Sequence, residues 1–172
     1  MDLTTLHLQN THELGAEGLG SLWRQLGREG MQRTLFYDGG VASSQEFTRF
    51  ASDPARLFYA VVVDQSPVAL FWLDGWSGQA AFIHFAVFRR AQGQAARIIG
   101  RYVTGWLLRA EREGGGPLVR TLIGLTPDTH PLAVRFVRDL GFRILGRVPQ
   151  VLSLADGRTV AAIVSTLTRE EV

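Results

Sequence analysis

The stretch from Ala80 to Ala110 limits the possible folds more than any other part of the chain. Ala80 to Phe88 is apolar on both faces of an extended strand except at His84, which predicts a strand in the middle of a sheet covered on both sides. Arg89 to Arg97 forms a short basic turn containing Gly93. Beyond it Ala95, Ile98, Ile99, Tyr102, Val103, Trp106, Leu107 and Ala110 recur at helical spacing, so one long amphipathic helix lies on that sheet. Its other face carries Arg97, Arg101 and Arg109. A strand that runs through a turn of small residues into a helix aims free backbone N–H groups and the positive helix end at one point. That arrangement suits an anion such as a phosphate.

The flanking segments complete the sheet. Thr4 to Gln9 alternates weakly and is read as a first strand, and Leu14, Leu19, Leu22, Trp23 and Leu26 predict a helix from about Glu13 to Gly30. Phe36 to Gly40 reads as a loop. Ser43 and Ser44 before Glu46 have the form of an N-cap with an acidic first turn, opening a short helix to about Ala51. Leu57 to Val63 and Val68 to Leu73 flank Asp64-Gln65-Ser66-Pro67 as the arms of a β-hairpin, and Asp74 to Gly78 reads as a second turn. Gly114-Gly115-Gly116-Pro117 ends the long helix. Leu118 to Leu125 is the next strand. A helix with Leu132, Ala133, Phe136, Val137 and Leu140 on its apolar side follows, closed by Gly141. Phe142 to Leu154 and Arg158 to Leu167 pair around Ala155-Asp156-Gly157. The order β-α-α-β-β-β-α-β-α-β-β predicts an α/β (α+β) fold: a mixed, mostly antiparallel sheet of about seven strands with helices on both faces.

At 172 residues the chain has the length of one domain, taken as 1–172, and 46% hydrophobic with 20% charged residues is an ordinary globular balance. The formal net charge is +2 and the basic residues are scattered, so nothing argues for nucleic acid. All 18 basic residues are Arg, which excludes Schiff-base and P-loop lysine chemistry. The chain has no Cys, hence no thiol nucleophile, disulfide or Cys-based metal site. Its four His show no ligand spacing, and no metal is expected. The start at Met1 has no basic, apolar leader and no stretch approaches the ~20 apolar residues of a membrane span. A soluble, cytoplasmic protein without membrane association is therefore expected.

This order, with a basic turn after the fourth strand and a helix ending in Gly141-Phe142, resembles the GNAT family of acyl-CoA-dependent N-acetyltransferases. The likeness is sharpest from Phe82 to Phe142. In that family a strand ending in Val leads to a turn of the form Arg/Gln-x-x-Gly/Ala-x-Gly/Ala, whose amides grip the coenzyme A pyrophosphate. Here Val87 is followed by Gln92-Gly93-Gln94-Ala95-Ala96-Arg97, with Gln92 on the first position, Ala95 on the first small one and Arg97 on the last. A second register, Arg90 to Ala95, satisfies the pattern completely but lies closer to Val87 than the family spacing. Downstream, the family's Asn-x-x-Ala-x-x-x-Tyr-x-x-x-Gly-Phe is represented by His130, Ala133, Val137, Gly141 and Phe142. Val137 cannot donate a proton as the usual Tyr does, so the general acid is unassigned.

The resemblance implies transfer of an acetyl group from acetyl-CoA, as co-substrate, to a primary amine of unknown acceptor by direct attack. It implies that main-chain donors near Phe85 and Val87 hold the thioester oxygen and pair with the pantetheine arm. Gln92, Gly93, Gln94, Ala95, Ala96 and Arg97 would contact the diphosphate, with His130 and Phe136 along the coenzyme. An ammonium is no nucleophile, so a base must take its proton. His84, the one titratable side chain on its strand, is the candidate, the alternative being a core histidine satisfied by a backbone carbonyl.

For His130 the choice is between a helix cap and a contact residue. For Glu13 and Asp38 it is between an acceptor lining and solvated acids. For Arg89, Arg90 and Arg97 it is between phosphate contacts and a solvated basic face, and for Trp72 and Trp76 between an acceptor pocket and ordinary packing. Two other classes stay open: a GNAT-like module that binds acyl-CoA without catalysis, and a nucleotide-binding module. The resemblance leaves a homodimer open.

Overall fold

The computed structural model describes residues 3–171. Its regular elements are β1 (His7–Asn10), α1 (Thr11–Arg28), α2 (Gln32–Leu35), α3 (Ser44–Ala51), β2 (Leu57–Val63), β3 (Ser66–Ser77), β4 (Ala80–Val87), α4 (Gln94–Arg109), β5 (Thr121–Pro127), α5 (Pro131–Asp139), β6 (Arg143–Ser153) and β7 (Thr159–Thr168). The seven strands form one sheet in the order β1-β2-β3-β4-β5-β7-β6. β1 and β2, β5 and β7, and β6 and β7 pair antiparallel, whereas β4 and β5 pair parallel. The sheet is mixed, as the element order requires.

Local chemistry sets the helix ends. Asn10 caps α1 by accepting the Glu13 amide at 3.0 Å, and the Glu13 carboxylate accepts the Asn10 amide at 2.7 Å, which satisfies two orphan donors reciprocally. Ser43 caps α3, its Oγ accepting the Glu46 amide at 3.2 Å, and the Glu46 carboxylate accepts the Ala42 amide at 2.8 Å. α5 ends in a Schellman motif: Gly141, at φ +95°, donates to Arg138 O at 3.0 Å and Phe142 donates to Val137 O at 3.1 Å. The spacing Val137-x-x-x-Gly141-Phe142 is thus the spacing of a helix stop.

Residue contacts gather into two compact units. The first takes the chain up to Trp72 with Phe85–Ala95 and Leu154–Arg158. In it Leu19, Leu22 and Leu26 of α1 and Phe47 of α3 pack on Phe58, Ala60 and Val62 of β2. Val61 and Val63, on the other face of β2, are equally buried, which explains why that strand reads as a continuous apolar run. The second unit takes Leu73–His84, Ala96–Ser153 and the chain from Thr159 on. There Gly100 of α4 lets α5 approach: a Cβ at that position would meet Leu140 Cδ2 at 2.6 Å and Phe136 Cζ at 3.0 Å.

Several boundaries differ from the sequence reading, among them the start of β3, which takes in Ser66 and Pro67 of the expected hairpin loop. Leu3–Thr5 is a 3-10 turn, so β1 begins at His7. Four residues before Phe36 form the short helix α2, too brief to leave a periodic signature. Leu118 to Arg120 precede β5 rather than belong to it. Most consequentially, Asp74 to Ser77 continue β3 instead of forming a turn. Gly75 takes φ +56° within the strand, and the Phe82 ring lies 2.5 Å from where its Cβ would stand, so the position suits glycine on both counts. The reversal falls at Gly78 and Gln79.

Candidate active site

The longer β3 gives His84 its partner. Asp74 Oδ1 lies 3.0 Å from His84 Nε2, and the two side chains are 27% and 36% exposed. The imidazole therefore has a carboxylate beside it and is partly open to solvent rather than fully buried in the core. A hydrogen bond donated from Nε2 to a carboxylate fixes the ring's orientation and puts the basic lone pair on Nδ1. Asp74 was missed in the sequence because Asp-Gly reads as a turn. A carboxylate ten residues before a strand histidine, across a tight reversal, was the available signal.

β4 has a short parallel ladder with β5. Its parallel pairing with β5 covers Ala80, Ala81 and Phe82 against Thr121, Leu122 and Ile123. Both strands run on, β4 to Val87 and β5 to Pro127, and β5 keeps its pairing with β7 as far as Pro127 opposite Ala162. Ile83 and His84 therefore lie past the last registered β4–β5 pair. Phe85 stacks on Phe71 at 6.1 Å and 16° between planes, and Phe71 stacks in turn on Tyr59 at 5.4 Å. Burial, and secondarily the charge of Glu13, pushes the Tyr59 phenol above its ordinary pKa, so it stays protonated.

After Val87, Arg89–Ala91 form a 3-10 turn that ends at Gln92, whose N–H donates to Arg89 O at 3.3 Å. Gly93 follows at φ +75°, a conformation open to glycine without strain. Gln94, Ala95, Ala96 and Arg97 are then the first turn of α4, and these are the amides that an α-helix leaves without an intrahelical carbonyl. Ala96 is buried and Ala95 half-buried, and neither carries a side chain long enough to cover these donors.

The arginines around this turn have protein partners. Arg89 donates its amide to Glu29 Oε2 at 2.7 Å and its guanidinium to Glu29 O at 3.2 Å, and Arg90 reaches Val63 O at 3.5 Å. Arg97 Nε lies 2.9 Å from Asp139 Oδ2, and Arg101 donates to Asp139 O at 3.1 Å. Both cations thus meet the negative C-terminal end of α5.

His130 occupies the N-cap of α5 without a side-chain capping bond, and its carbonyl accepts from Ala133 and Val134. Phe136 projects from α5 against Gly100. Glu13 belongs to the α1 cap, and Asp38 accepts the Gly40 amide at 3.0 Å in its own turn. Trp72 is buried among Phe36, Phe50 and Phe58, which is packing, while Trp76 lies at the surface with the Arg112 guanidinium 5.9 Å from its ring. Among the described residues no His, Asp and Glu side chains group as a metal site, and no helix is long and apolar enough to cross a membrane.

No protein-family model matches the sequence, and no curated protein matches it. Solved structures do. A spermidine N-acetyltransferase from Vibrio cholerae, in complex with CoA and spermine, superposes with a TM-score of 0.75 at 14% identity, over 98% of this chain and 98% of that one. An acetyltransferase from Salmonella typhimurium that modifies the N-terminal serine of ribosomal protein L7/L12 gives 0.77 at 14% identity, over 96% and 95%. The ribosomal-protein-S5-alanine acetyltransferase from Vibrio fischeri gives 0.73 at 8% identity, over 99% and 97%. Likeness of this extent at such low identity is likeness of fold, and the chain carries the GNAT fold.

Proposed function

We propose that this chain is an N-acetyltransferase, a single domain that moves the acetyl group of acetyl-CoA directly to a primary amine. The observation that carries the reading is the end of the β4–β5 ladder at Phe82 and Ile123, two residues before His84. Main-chain groups of β4 past that point, around Phe85 and Val87, can pair with the pantetheine amides as an added strand would. One of their N–H groups can hold the thioester oxygen as negative charge develops on it. The fold shared with acetyltransferases, one of them holding CoA, supports the same reading.

Gln92 to Arg97 fit a diphosphate. Gly93 lets the main chain approach, and the first-turn amides of α4 together with its dipole favour negative charge. Arg97 must share its guanidinium between Asp139 and a phosphate oxygen, so its contribution is smaller than that of an unengaged arginine. His130 and Phe136 line the coenzyme from α5. The chain has no Cys or Lys on which the acetyl group could be carried.

His84 removes a proton from the incoming ammonium, with Asp74 orienting the imidazole and stabilising its charged form. The freed amine attacks the thioester carbonyl carbon, a C–N bond forms, the C–S bond breaks, and the second N–H proton passes from the nitrogen to the departing sulfur, leaving the amide and the free CoA thiol. With Val137 at the position of the family's tyrosine, the sulfur departs as a thiolate before it takes that proton; an ordinary thiol has a pKa of about 8.5, so it is a competent leaving group unaided.

Calorimetric titration tests the coenzyme half. Acetyl-CoA binds at one site and ATP does not; His84→Gln leaves that binding unchanged while lowering turnover. Absence of acetyl-CoA binding overturns the reading.

A further inference from the structure

We infer that a cavity in the first unit binds the amine acceptor, and that this acceptor is a small apolar amino acid with a free carboxylate. The inference rests on the acetyltransferase reading for the word acceptor and on the cavity for the chemistry. The cavity has a volume of about 770 Å³, within the range of small-ligand sites. Its floor is apolar and aromatic: Trp23 and Phe36, whose rings stand 6.2 Å apart at 42°, with the buried Val41 beside them.

Two loops distant in sequence make the walls. Ala155, in the turn between β6 and β7, donates its amide to Tyr37 O at 2.8 Å. Gly39 passes so close that a Cβ on it would stand 3.0 Å from Ala155 Cβ. A hydrogen bond and a glycine contact thus hold the cavity's two sides together. The arrangement is built rather than incidental.

The charged groups on the rim are Arg33, Arg158 and Asp156. Asp156 is already committed: its carboxylate accepts the Arg158 amide at 3.1 Å and Arg158 Nε at 2.7 Å. Arg158 is paired with that carboxylate, so the three groups leave one net positive charge, which disfavours a polyamine whose several ammonium groups need unengaged acids. A guanidinium fork matches a ligand carboxylate, and the aromatic floor matches an aromatic or branched side chain. The Vibrio cholerae structure is a complex with spermine; the net positive charge here favours an anion instead.

The experiment separates the two readings. Binding to the whole chain is measured with 3-phenylpropionate, which has the carboxylate and no amine, and with 2-phenylethylamine and spermine, which have amines and no carboxylate. The carboxylate binds at least tenfold more tightly, and Arg33→Ala and Arg158→Ala each weaken it several-fold without affecting acetyl-CoA. In turnover, L-phenylalanine exceeds L-phenylalaninamide at least tenfold in kcat/KM for thiol release.

Carboxylate-selective binding without any thiol release keeps the cavity as a ligand site and overturns acetyl transfer. Thiol release with spermine but not phenylalanine keeps acetyl transfer and overturns the cavity assignment. Equal binding of all three probes, or insensitivity to both arginine variants, also overturns it.

Discussion

Asp74 Oδ1 accepts a hydrogen bond from His84 Nε2 at 3.0 Å, joining a carboxylate on β3 to the one histidine on β4. If His84 is the base, the two residues differ in what they lose. His84→Gln removes the proton acceptor and lowers kcat about a hundredfold, at the low end for general-base catalysis. Asp74→Asn keeps an oxygen for Nε2 but loses the charge that stabilises the imidazolium, and lowers kcat by about tenfold. In both variants KM for acetyl-CoA stays within twofold, which initial-rate measurements check. A larger effect from Asp74→Asn than from His84→Gln contradicts the ranking.

The Asp156 carboxyl sits below its ordinary pKa of 3.8, first through the Arg158 amide and then through the Arg158 side chain. A depressed pKa means that the folded state gains from the anion. The contribution is whole above pH ~4 and fades as pH falls through the lower folded value. Carboxyl-detected NMR titration of Asp156 should show a midpoint below 3.8, and Arg158→Ala should move it back toward that value.

Gly100→Ala tests the α4–α5 packing. Alanine favours a helix over glycine by ~1 kcal/mol. The added Cβ would lie 2.6 Å from Leu140 Cδ2 and 2.9 Å from Leu140 Cδ1, and overpacking of this kind costs about 1–3 kcal/mol. The clash wins, and urea denaturation should show a net loss of about 1 kcal/mol.

Ser165 is buried on β7 and, among the described residues, its Oγ has no hydrogen-bond partner. It faces Gly124 on β5, where a Cβ would approach that oxygen to 2.6 Å. Ser165→Ala removes an unsatisfied hydroxyl and should raise stability by about 1 kcal/mol. Gly124→Ala should be destabilising alone and tolerated in the Ser165→Ala background, a coupling that a double-mutant cycle measures.

The order of elements was legible because the buried strands read as apolar runs and the helices carry their own caps. Leu57–Val63 matches β2 at both ends, and Ser43 caps α3 as the sequence indicates. What stayed hidden were pairings across the sheet. Asp74-Gly75 has the composition of a turn, and the Phe82 ring packed over Gly75 inside β3 is a contact that no local pattern shows. Losing those residues from the strand also lost the partner of His84. The arginines of the turn were legible as cations, but not as partners of Glu29 and Asp139, which lie about 60 and about 40 residues away in sequence. The cavity under Tyr37 and Ala155 left no local pattern, since its walls come from opposite ends of the chain.

The most direct test of the central claim is thiol release from acetyl-CoA by the purified chain, with and without an amine. Release that requires the amine, saturates in both substrates and falls in His84→Gln is the predicted result. Binding of acetyl-CoA with no thiol release across amino acids, polyamines and peptide N-termini would contradict it.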